Sequence, residues 1–181
     1  MTFFPWFILA LLVAINALYV AAEFAAVAAA RPEILALAKQ GNARAETLFK
    51  VLDDGAALDR YISACQIGIT LASLLAGAYA QATLGQDFGP WLASTFELAP
   101  DVASQASAIT ILVLLTATQV VLGELIPKSL ALESPERAAL LTFLPVSWSV
   151  TVYSGFIRVL NGTASLFLLP FGVGAGRHQH V

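Results

Sequence analysis

Three stretches leave this chain few ways to fold. Residues 3–30, 61–84 and 104–125 are long, apolar and almost free of charge. About 20 consecutive apolar residues suffice for a helix to cross the ~30 Å hydrocarbon core of a bilayer. In lipid the backbone must satisfy its own hydrogen bonds, so such runs become helices. The composition agrees, with 59% hydrophobic and only 12% charged residues among 181. The expected fold is an all-α membrane protein with three transmembrane helices. Cys65 is the single cysteine, so no intrachain disulfide and no cysteine-built zinc cluster can form. Inside its apolar run it reads as a small core residue.

Residues 3–30 end in Ala28, Ala29 and Ala30, which resemble a secretory cleavage site. The first basic residue is Arg31, so a positive n-region is missing, and the run is too long for a signal peptide. It reads as a retained span. Asn16 and Glu23 interrupt it, two helical turns apart and so on one face. Ala21, Ala22, Ala25 and Ala26 surround Glu23 and let another helix approach closely. That polar stripe is expected to face protein rather than lipid.

Residues 31–60 mix five basic with five acidic side chains around an irregular helical period. Gly41–Asn42 and Asp54–Gly55 are turn signals. Two short helices outside the hydrocarbon are expected. In the second span, Ser63, Gln66, Thr70 and Ser73 line one face. Such side chains either bond neighbouring helices or meet an ion. Gln66 and Thr70 flank Gly68, where an ion or backbone can come close. Residues 85–103 carry no Lys or Arg and contain Gly89–Pro90, read as a turn in a connector.

Charge sets the orientation. Basic residues hold loops in the cytoplasm, and 31–60 is the basic connector. The N-terminus is therefore expected outside and the C-terminus inside, in a cell (inner) membrane crossed several times. Region 138–173 is apolar but holds Pro145 and Arg158, so it reads as a juxtamembrane belt helix along the inner leaflet, with a re-entrant hairpin as the alternative. Asn161–Gly162–Thr163 matches a glycosylation acceptor that would be inert on that side. His178 and His180 form a weak metal-binding pair at most.

Most chemistry concentrates at the end of the third span, in Gln119-Val-Val-Leu-Gly123-Glu124-Leu-Ile-Pro127-Lys128. An intramembrane carboxylate is costly unless it faces protein, water or an ion. Pro127 has no amide hydrogen, so in an α-helix the Gly123 carbonyl loses its partner. A carboxylate beside a bare carbonyl suits a hard cation such as magnesium. The plain alternative is a span terminus with Glu124 snorkelling to water.

Three pieces together resemble the membrane domain of the CNNM/CorC magnesium transporters. They are Asn-Ala-Leu-Tyr-Val-Ala-Ala-Glu-Phe-Ala at 16–25, Gln-Ile-Gly-Ile-Thr-Leu-Ala-Ser-Leu at 66–74, and Gly-Glu-Leu-Ile-Pro-Lys at 123–128. The resemblance implies a homodimer in the lipid bilayer, with short cytoplasmic helices and a belt helix. It also implies magnesium as transported substrate, with sodium proposed as coupling ion. The family's glycine–glutamate pair maps onto Gly123 and Glu124. First-helix serines of many members are replaced by Val20 and Ala22, and a second-helix asparagine by Ile69. Gln66, Thr70 or Ser73 is then expected to complete the metal shell. Glu23 is a further ligand, a coupling-ion site or a structural acid. Cytoplasmic CBS-type domains usual in the family do not fit here. Residues 1–175 read as the membrane domain and 176–181 as a tail, with nucleotide regulation expected to be absent.

The rival reading is a cation-sensing dimeric membrane anchor without transport. Neither a His-Glu-x-x-His motif nor a nucleophile elbow is present, so no enzyme is expected. Nor is there a basic, aromatic patch for nucleic acid.

Overall fold

The computed structural model describes residues 3–168, and every regular element among these is a helix. Helix α1 (Phe4–Ala28) is followed by two short helices, α2 (Arg31–Lys39) and α3 (Ala43–Asp53). Helix α4 (Gly55–Phe96) is the longest, at 42 residues. Next, α5 (Pro100–Thr118) runs through a π-helical segment (Gln119–Leu125) into α6 (Ile126–Glu133). Last comes α7 (Pro135–Leu168).

Local chemistry marks the boundaries. Gly41 takes φ +91°, a left-handed turn conformation that favours glycine. Asn42 then caps α3, its Oδ1 accepting from the amides of Arg44 and Ala45 at 3.1 Å each. Asp54 caps α4 in the same way through Ala56 and Ala57. Prolines stand in the first turns of α2 and α5, where a missing amide hydrogen breaks no bond. The two short helices and their turns thus fall where the sequence places them.

Gly89–Pro90 does not make a turn. Helix α4 continues through Pro90 as far as Phe96, and only Glu97–Leu98–Ala99 separates it from α5. An interior proline normally destabilises a helix by ~3 kcal/mol or more. Here the flanking Gly89 is buried, with Ser104 and Ser107 of α5 close against it. Trp91 stacks on Phe88 at 5.4 Å between ring centroids. These contacts hold the segment helical, and the chain reverses where Glu97 takes φ 53°.

Four helical segments are long and apolar enough to cross a membrane: Phe4–Ala28, Gly55–Phe96, Pro100–Glu133 and Pro135–Val159. This is one more than the three read from the sequence. The addition is α7, whose apolar stretch persists through Pro145 as unbroken helix. Its N-terminal part runs beside α1, with Glu136 Oε1 accepting from the Ala30 amide and Ser149 Oγ bonding Tyr19 Oη. The Asn161–Thr163 acceptor motif lies within α7. The tail at 176–181, with Arg177 and the two histidines, falls outside the described residues.

Helices α1 and α4 are antiparallel neighbours, and α5–α6 runs parallel to α1. Packing divides into two main apolar clusters. One gathers Ala22, Ala25 and Ala26 of α1 and Ala29 just beyond it with Ile34, Leu48, Tyr61, Cys65 and Phe143. The alanine face expected around Glu23 is thus buried, as is Cys65. The other cluster, toward the opposite end of α1, joins Leu9, Ala76, Ala80 and Ile111.

Gly68 of α4 lies directly against the Tyr19 ring of α1. A Cβ there would fall 2.5 Å from ring atoms of Tyr19, whose hydroxyl is tied to Ser149 at 2.6 Å. Gly68→Ala is expected to destabilise the fold by about 1–3 kcal/mol through overpacking. Adding Tyr19→Leu should return part of the loss. Thermal unfolding in detergent, followed by circular dichroism, reads both effects.

Candidate metal centre

Between the two clusters α1 carries Asn16, fully buried despite its amide. An unpaired amide in such surroundings is costly, so its partners matter. Asn16 Nδ2 donates to the Gly123 carbonyl at 3.1 Å, and its Oδ1 accepts from Ser73 Oγ at 3.2 Å. One side chain therefore ties α1 to both α4 and the π-helical segment.

That segment departs from α geometry where Gly123 and Pro127 meet. The Ile126 amide reaches back to the Val121 carbonyl, five residues earlier, as in a π turn. Such turns often occur at functional sites. Gly123 cannot be replaced without movement, because a Cβ would stand 2.7 Å from Asn16 Nδ2 and 2.8 Å from Gln119 Oε1. Gln119 is itself buried, and neither polar atom of its amide has a hydrogen-bond partner among the described residues.

The sequence-predicted residues divide between two levels. Gly123 and Ser73 meet at Asn16, with Gln119 against Gly123. Two turns away on both helices, Gln66 Nε2 donates to Glu23 Oε1 at 3.2 Å. Thr70 joins neither group, as its hydroxyl donates to the Gln66 carbonyl of its own helix at 2.9 Å. The Gly123 carbonyl is not bare, since Asn16 occupies one lone pair, but a carbonyl oxygen has two. Glu124 is exposed on this chain, immediately beside buried Gly123, and forms no hydrogen bond or ion pair among the described residues. Lys128 Nζ lies 4.6 Å from the Phe24 ring centroid rather than on a carboxylate.

The inner layer is thus made of neutral oxygens and amides, with the two carboxylates at its margins. No group of three or more His, Cys, Asp or Glu is placed to hold a metal among the described residues. A nearby cavity of about 510 Å³ between α1, α4 and α5 is lined by Leu9, Val13, Ile111 and Leu115, with Thr118 as a polar exception. It suits hydrocarbon, not a hydrated cation.

Asn16 and Gln119 were visible in the sequence only as polar interruptions of apolar runs. Their signal was register: Asn16 shares a face with Glu23, and Gln119 precedes Gly123 by about one turn.

A multi-pass helical membrane protein with a polar layer at a π distortion is the class defined by these features. The chain belongs to the CNNM family: the model described as the Cyclin M transmembrane N-terminal domain matches residues 7–181. It is 35% identical over 180 residues to UPF0053 protein YrkA of Bacillus subtilis, covering 99% of this chain and 41% of YrkA. Against UPF0053 protein YugS of the same organism the identity is 32%, covering 94% of this chain and 39% of YugS. Uncharacterized protein Rv1841c of Mycobacterium tuberculosis is 32% identical, with 90% and 45% covered. The chain therefore spans less than half the length of these curated relatives.

Removing Asn16 leaves Ser73 and Gly123 short of a partner. Asn16→Ala is expected to destabilise the domain by about 1–3 kcal/mol. Ser73→Ala should cost about 0.5–1.5 kcal/mol, one ordinary hydrogen bond. The double variant should lose less than the sum, because the two share a bond. Reversible unfolding titrations in mixed micelles measure all three.

Proposed function

We propose that this chain is the membrane domain of a magnesium transporter that works as a homodimer and uses the polar layer as its cation site. The observation that carries the reading is the buried meeting of Asn16, Ser73 and Gly123 at a π-helical distortion, between two apolar clusters. Buried polar groups in a membrane are expensive and mark ion pathways. Irregular backbone at membrane depth is tolerated where it is packed in protein or lines a cavity.

In this reading Gly123 supplies its second lone pair, and Glu124 supplies charge from the margin. Ser73 adds a hydroxyl. Glu23, paired with Gln66, forms the next station two turns away, for the same ion or for a sodium coupling ion, with Thr70 one turn from Gln66 on α4 as a further oxygen. Magnesium sheds water reluctantly, so a layer with few protein oxygens holds it partly hydrated. Transport requires the layer to open alternately to each side. The basic segment with α2 and α3 faces the cytoplasm by the positive-inside rule. The first half of α7 then lies near the inner face, along α1, and the N-terminus is outside in the cell membrane. CBS-type regulatory domains would belong to the longer architecture of the relatives. The chemistry is translocation, not catalysis.

Magnesium uptake into sealed proteoliposomes tests the proposal. Wild-type protein should move magnesium, and Glu124→Ala should lower the rate at least tenfold. Unchanged flux in the variant removes Glu124 from the mechanism. Saturable magnesium binding by wild type without flux supports the cation-sensing anchor instead.

A further inference from the structure

The π-helical segment holds one group that the proposed site has not used. Gln119 is only 8% exposed, yet both ends of its amide lack a partner among the described residues. Buried side-chain polar atoms are nearly always satisfied, so each exception calls for an occupant or a role. Polar side chains mid-helix often bond to their own backbone, as Thr116 and Thr118 do in the preceding turn. Gln119 does not.

Its position is specific. Gln119 Oε1 lies 2.8 Å from where a Cβ of Gly123 would be, and Asn16 Nδ2 lies 2.7 Å from the same point. Both amides thus border the space opened by the missing side chain. Asn16 spends its two ends on Gly123 and Ser73. Gln119 remains with an uncommitted oxygen beside a backbone carbonyl that retains a lone pair. The described residues contain no group of three or more His, Cys, Asp or Glu placed to hold a metal, so a cation bound here meets neutral oxygens as well as Glu124 at the margin. Hard cations accept amide and backbone carbonyl oxygens as ligands.

We infer that Gln119 is a direct ligand of the transported divalent cation, its side-chain oxygen acting together with the Gly123 carbonyl. This rests on the transport reading above and adds a residue to it. The consequence is selectivity by an uncharged ligand. A neutral amide attracts the ion less than a carboxylate would, which keeps binding weak enough for release. Gln119→Glu then converts a transient site into a tighter one.

The test uses the full chain in detergent, with magnesium chloride as the probe. Calorimetry reads affinity, and the magnesium-dependent rise in unfolding temperature reads it independently. Gln119→Met keeps the length of the side chain and removes its oxygen. It is expected to weaken magnesium binding about tenfold while the magnesium-free unfolding temperature holds or rises, because an unpartnered amide has gone. Gln119→Glu should tighten binding and slow vesicle flux. Wild-type affinity in both variants overturns the assignment and leaves Gln119 a water-bonded packing residue. A Gln119→Met protein that fails to fold shifts the decision to Gln119→Glu, where unchanged or weaker binding overturns it. Wild-type protein that binds no magnesium defeats the transport reading itself, before Gln119 is in question.

Discussion

The arrangement depends on one asparagine that has no water to turn to. Asn16 is enclosed on α1, and its amide is satisfied only because Ser73 and Gly123 come to it. An amide buried without partners costs several times what a hydrogen bond contributes. That asymmetry makes Asn16 a locator: α4 and the π-helical segment are held at fixed height against α1. The distortion and the glycine are part of the same solution. With a Cβ at position 123, the Asn16 amide could not reach the carbonyl without moving.

Apolar packing supplies the rest of the cohesion. Alanines on α1 admit α4, α6 and α7 at one end, in a cluster that α2 and α3 complete, and Leu9 meets Ala76, Ala80 and Ile111 at the other. Neither cluster can specify height as sharply, since small apolar side chains tolerate sliding. The carboxylates stand apart from the sealed layer for an electrostatic reason. A charge fully removed from water carries a penalty that a single neutral neighbour does not repay. Glu23, half-buried, keeps an amide partner in Gln66, and Glu124 keeps an open side. Negative charge is thereby available near the layer without being trapped in it.

The helical fold was legible because apolar run length and the bilayer leave no alternative. The short helices α2 and α3 were legible because Gly41, Asn42 and Asp54 have strong local preferences. Gly89–Pro90 misled for an equally physical reason. Those residues favour a turn in isolation, and the packing of Gly89 against α5, with Trp91 stacked on Phe88, keeps them helical. Region 138–173 was read as one long helix despite Pro145 and Arg158, and α7 runs unbroken through both. At the site, Gly123 and Ser73 could be marked by residue type. Their meeting at Asn16 could not, because it depends on the antiparallel register of α1 and α4. That register also pairs Glu23 with Gln66, so it separates residues that a list of oxygens would put together.

The same register ties α7 to the polar layer. Tyr19 lies about one turn beyond Asn16 on α1, its ring against Gly68 and its hydroxyl on Ser149. A displacement of α7 must either break that 2.6 Å bond or carry the ring with it. The ring cannot move toward α4, where the absence of a side chain on Gly68 is already filled. The ring thus sits on the α1–α4 contact, the same pair of helices that the Asn16–Ser73 bond joins. Packed interiors transmit such displacements because they compress little. Helix α7 is therefore joined through Tyr19 to the α1–α4 contact, about one turn from Asn16.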